Sequence, residues 1–188
     1  EARGQRFNAE ATVAELEALA QGGGMTDRTI YGFAVPFQLD QADFDPTGYR
    51  PQFDEAIKVS RKYGGAAIAI RGHADPGGTL VALVKSGLEC RVLERRGSPG
   101  AFSYFVNGAP LNIANARNLV QAVESGKFDC SPTHRPREVL QVARTLSESR
   151  ARAVRDALVA YAKGKGVVID ASQFQSQGVG ILEPLVPT

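Results

Sequence analysis

Residues 146–158 read LSESRARAVRDAL, and this stretch decides how the rest of the chain is read. Leu146, Arg150, Val154 and Leu158 recur at steps of four, so a helix places all of them on one stripe. Ala153, Ala157 and Tyr161 widen that stripe. Nothing between Pro136 and Lys163 breaks the pattern, which predicts one long helix over that range. Arg150 is the anomaly, because a guanidinium is costly to bury unless it is paired. Two explanations fit the periodicity. Arg150 reaches from the stripe to the surface along its aliphatic stem, or it is a fixed cation aimed at a carboxylate.

Working toward the N-terminus, Ala66 to Ile70 (AAIAI) is a short apolar run suited to a buried strand. It enters Gly72-His73-Ala74-Asp75-Pro76-Gly77-Gly78 directly. Asp75 thus lies in a glycine-rich loop at a strand end, where binding groups are often carried on a rigid support. Stabilising a turn before Pro76 would account for it equally well. An anion at Asp75 and a cation at Arg150 in one pocket would suit a zwitterionic ligand.

The remaining elements follow from local signals. Thr29 to Val35 is predicted as a strand. A helix begins near Pro51 and runs to about Lys62, with Phe53, Ala56 and Ile57 inward. Thr79 to Lys85 and Arg91 to Glu94 look extended. Asn107-Gly108, between Tyr104–Val106 and Ala109–Leu111, is a strong hairpin signal. Asn115 to Ser125 is predicted helical, and Val167 to Ile169 and Gln173 to Val179 extended. Asn8 to Ala20, with Thr12 and Glu15 at capping-box spacing, reads as a short helix. The expected divisions are an N-terminal helix and linker over 1–28, a main domain over 29–78 and 134–188, and an insertion over 79–133.

Composition removes several classes of function. The chain has 188 residues, 22 Lys and Arg against 20 Asp and Glu, and a net charge of +2, too balanced for a nucleic-acid-binding face. Charge is uneven along it: His134–Lys165 carries eight basic and three acidic residues, whereas Gln38–Ile57 carries five acids and one Arg. These two segments either face one another or are solvated separately. No apolar run approaches the length of a membrane span. The sequence opens on Glu1, so the lack of a visible signal peptide decides nothing. His73 and His134 are the only histidines and have no partner at ligand spacing, so no metal site is expected. No P-loop, GxSxG or triad pattern is present, so neither catalysis nor a cofactor is expected. Cys90 and Cys130 would be free thiols in a reducing compartment and a bridge in an oxidising one.

Three segments carry a resemblance. Ile68–Gly78 (IAIRGHADPGG) resembles the strand and GHTD loop of the OmpA-like family. LSESRARAVRDAL is similar to that family's LSxxRAxxVxxxL helix at every defined position, and Ser176–Pro184 (SQGVGILEP) resembles its third strand with a GxG and a Pro. The order agrees, and Tyr31–Ile70 also fits the family's first strand, loop and helix. The resemblance covers about two thirds of the chain, and the LSxxRA helix is its specific part.

The resemblance implies an α+β fold, a two-layer β/α/β/α/β sandwich, here with a small inserted α/β subdomain. It implies a periplasmic, outer-membrane-associated protein that binds the diaminopimelate of peptidoglycan stem peptides without catalysis and anchors a protein or the outer membrane to the wall. Other envelope proteins would be further partners. By that resemblance Asp75 receives the ligand ammonium, Arg150 clamps its carboxylate, and Leu146, Gly77 and Ala74 line the site. In an oxidising periplasm Cys90 and Cys130 would be bridged. The chain departs from the family at Ala74, where a Thr is usual, and at Ala143, where an Asn is usual. No NRRV strand precedes Thr188, and Asp75 and Arg150 are separated by 75 positions where the family has a short connection. The alternative is the same fold with its pocket turned by the insertion to another small ligand or a protein partner.

Overall fold

The computed structural model describes residues 30–63, 66–112, 116–131 and 133–181. The predicted helix at Asn8–Ala20 lies outside these. The fold is mixed helix and strand, as expected of an α+β chain. Its main helices are α1 (Arg50–Lys62), α2 (Pro76–Glu89), α3 (Ala116–Glu124) and α4 (Pro136–Gly164). Its strands are β1 (Ile68–Gly72), β2 (Leu93–Arg96), β3 (Ser103–Val106), β4 (Ala109–Pro110) and β5 (Phe174–Gly178). β1 pairs with β5, and β2, β3 and β4 form a second sheet in that order.

The residues group into two compact units. Among the described residues, one comprises 30–36, Phe44–Ile68 and Val154–Gln175; the other comprises Phe37–Asp43, Ala69–Ala153 and 176–181. In the first, α1 starts with Pro51 in its opening turn and turns Phe53 and Ile57 inward, against Leu158 and Ala162 of α4. Phe44, Tyr49, Tyr161 and Phe174 surround that core, with the Phe53 and Tyr161 ring centroids 5.6 Å apart. Residues 30–35, expected to be a strand, pair with no strand among the described residues. Their aromatic side chains pack instead, Phe33 lying 6.0 Å from the Phe53 ring. Val167 and Ile169 likewise pack on this core without joining a ladder.

The second unit has the larger core, built from Leu83, Leu93, Val106, Leu119, Val120, Val123, Phe128, Leu140 and Ile181. Residues 79–133 thus pack in one unit with the Gly72–Gly78 loop and the first half of α4. Thr79–Lys85, expected to be extended, lies instead within α2. The physical reason is at its start. Asp75 is the N-cap, accepting from Gly77 N at 2.9 Å, and Pro76 occupies the first turn, where its missing N–H costs nothing. The 2:2 hairpin forms as expected. Asn107 (φ 50°) and Gly108 (φ 80°) both take left-handed conformations between paired Val106 and Ala109.

Where β1 and β5 meet α4, the backbones come unusually close. A Cβ on Gly72 would overlap the carbonyl oxygen of Ser147, and one on Gly178 would overlap the amide of Glu148. Ser147 is fully buried here, donating its hydroxyl to Arg144 O at 2.7 Å and accepting from Gly180 N at 2.9 Å. Val179 N donates to Gly72 O at 2.9 Å and Ala74 N to Gly180 O at 2.8 Å, which carries the β1–β5 pairing past the strand ends.

Candidate functional site

Arg150 sits one turn beyond Ser147, so the close contact with Gly72 places it at the end of β1. It is only 8% exposed. Its Nη1 donates to the carbonyl of His73 at 2.8 Å, its Nε to that of Gln41 at 2.7 Å, and its Nη2 to that of Gln38 at 2.9 Å. The guanidinium carbon lies 5.1 Å from the centre of the Phe37 ring. Burial pushes the Arg150 pKa down, and the negative charges of Asp40 and Asp75 oppose that shift. The guanidinium stays charged at any physiological pH.

The structure therefore resolves the ambiguity at Arg150: the side chain does not run out to solvent but is held among carbonyls. Asp75 follows two residues after the carbonyl of His73 that Arg150 holds, and its negative charge acts on the guanidinium. Asp75 itself is exposed, and its carboxylate faces back to Gly77 N. Ala74 is buried, Gly77 supplies the capping amide, and Leu146 packs against the apolar core of this unit. His73 presents a buried Nδ1 without a hydrogen-bond partner. Gln38, Gln41 and Phe37 are the residues that sequence reasoning missed. They lie more than 100 positions from Arg150 and act mostly through backbone carbonyls, which any residue type supplies.

Cys90 and Cys130 are at bonding distance, with Cα atoms 5.7 Å apart, as expected for a bridge. Beside it, Ser131 Oγ donates to Glu89 Oε2 at 2.5 Å, and His134 Nδ1 lies 3.0 Å from Glu89 Oε1. The Ser131 hydroxyl, and secondarily His134, hold the Glu89 carboxyl below its usual range. A carboxyl lowered in the folded state stabilises fully above its unfolded pKa, about 4.3 for Glu. That contribution disappears as the pH falls through the lower folded value. Acid titration of stability should therefore show a loss below about pH 4.3 that Glu89→Gln reduces, as followed by urea unfolding at several pH values. An unchanged acid limb in the variant would remove Glu89 from the account.

The described residues hold no group of His, Cys, Asp and Glu that could bind a metal, and no helix among them is long and apolar enough to cross a membrane. An open depression of about 570 Å³ lies in the first unit, lined by Asp54, Ile57, Lys58, Arg61, Lys62, Lys165 and Val167. It contains none of the expected site residues. No family model, no curated protein and no solved structure matches the chain.

Proposed function

We propose that the second unit binds the diaminopimelate side chain of peptidoglycan stem peptides, without catalysis, and so anchors its protein, or the outer membrane, to the cell wall. One observation carries this reading: a buried arginine on a long helix bonds to the loop that bears Asp75, giving an anion and a cation at one strand end. A ligand with an ammonium and a carboxylate at fixed separation matches that pair. The likeness of GHAD and LSESRARAVRDAL to the OmpA-like motifs supports the same ligand, and the Cys90–Cys130 pair suits an oxidising periplasm.

A second reading has its own support. Three N–H groups of Arg150 already bond to this chain's carbonyls, and Asp75 caps α2. On that reading the pocket serves another small ligand or a protein.

Calorimetric titration of meso-diaminopimelate, then of a stem peptide, separates the two. Asp75→Asn is the informative variant, because Asn caps a helix as well as Asp and removes only the charge. Saturable binding to the wild type that weakens about tenfold or more in Asp75→Asn is the expected result. A folded wild type that binds neither ligand overturns the peptidoglycan reading and leaves the second.

A further inference from the structure

The β2–β3–β4 sheet carries an arrangement that the stem-peptide site does not use. Among the described residues β2 is an outer strand of that sheet, and its last three residues, Glu94, Arg95 and Arg96, are exposed. The register pairs Arg95 with Tyr104, Glu94 with Phe105 and Arg96 with Ser103. Directly opposed residues share a face, so Arg95 lies on the face of buried Leu93, and Arg96 lies with Glu94 and Phe105 on the other.

Both arginines are laid over rings. The Arg95 guanidinium carbon is 4.4 Å from the Phe102 ring centre, and that of Arg96 is 4.3 Å from Phe105. Stacking occupies the flat face of a guanidinium and restricts its rotation, which leaves the N–H edge directed at an in-plane acceptor. Arg96 uses part of that edge on Glu94, at 2.7 Å. Arg95, and Arg91 just before the strand, have no carboxylate partner among the described residues. Three arginines against one glutamate over residues 91–96 leave a local excess of positive charge.

We propose that the outer edge of β2 docks an extended acidic peptide segment of a partner protein, added as a further strand. Such a segment would bond to the outward backbone groups of β2 and send successive side chains to opposite faces. Two consecutive acidic residues would then meet Arg95 on one face and Arg96 on the other. This geometry favours a peptide over a polyphosphate or nucleic acid. Those lack the alternating N–H and C=O groups that continue a ladder at a strand edge, and the chain's overall charge of +2 offers them no broad basic field.

The test uses the whole chain with fluorescently labelled octaglutamate, octaglutamine and inorganic polyphosphate as probes, followed by anisotropy and by amide hydrogen exchange. Octaglutamate is expected to bind saturably, octaglutamine not to bind, and the amides at Leu93–Arg96 to exchange more slowly in the complex. Arg95→Ala with Arg96→Ala should weaken octaglutamate binding about tenfold or more. Arg95→Glu with Arg96→Glu should transfer binding to octalysine. Both variants change exposed side chains and should keep the wild-type circular dichroism. Absence of saturation overturns the proposal. So does equal binding by the double alanine variant, or tighter binding of polyphosphate without slowed exchange in β2.

Discussion

Arg150→Ala is expected to destabilise the second unit by about 3–5 kcal/mol, measured as a lowered urea midpoint. A hydrogen bond to a charged group contributes about 1.5–3 kcal/mol, and a buried acceptor left unmade costs a comparable amount. Three carbonyls, those of Gln38, Gln41 and His73, lose their donor at once. The total falls short of three full increments because water can reach part of the loop once the guanidinium is gone. The structure thus makes Arg150 a structural tie between residues 38–41 and the β1 loop in addition to its proposed ligand role. Loss of ligand binding in Arg150→Ala would therefore not separate a lost contact from a loosened loop, whereas Asp75→Asn does separate them. An Arg150→Ala protein with an unchanged midpoint would show that the three carbonyl bonds contribute little.

Replacing Cys90 and Cys130 by serine is expected to cost the same unit about 4 kcal/mol. The bridge closes a loop of 40 residues, and the chain-entropy relation gives that figure for such a loop. Most of the unit's core residues, from Leu93 to Phe128, lie inside the loop, so relaxing it frees the segment that contributes most to the packing. Reduction of the wild type with dithiothreitol should lower its urea midpoint to that of the double variant. A wild-type midpoint indifferent to reductant would mean that the two sulfurs are not bridged in solution.

The legible parts of this fold were those written locally. The four-residue repeat of Leu146, Arg150, Val154 and Leu158 located α4, and Asn107-Gly108 located the hairpin, because both depend on neighbours in sequence. Asp75-Pro76 was also a local signal, for a helix start. The expectation that Thr79–Lys85 is extended leaves that signal out, and the capped start carries the helix through those residues. What could not be read was where Arg150 sends its N–H groups. Its acceptors are main-chain oxygens, identical for every residue type, and only the folded path of residues 37–43 brings them there. The strand expected from Thr29 is a different case. Tyr31 and Phe33 have suitable strand composition, but their rings are used in packing near Phe53, and no strand among the described residues takes up their backbone. Asp75 and Arg150 were legible as residues; that the chain's own carbonyls and an N-cap already engage them was not.

The hollow at Gly72 and Gly178 acts on α4 as a detent acts on a shaft. Only a hydrogen fits under Ser147 and Glu148, so the helix has one seat on these strands and cannot slide by a residue or turn within it. Each residue of an α-helix advances its side chain by about 100° around the axis. Fixing Ser147 therefore fixes the direction of Arg150 one turn later. Insertion of a single residue between them would leave the helix seated and swing the guanidinium about 100° away from the His73 carbonyl. The bearing of the cation is set by the absence of two side chains elsewhere.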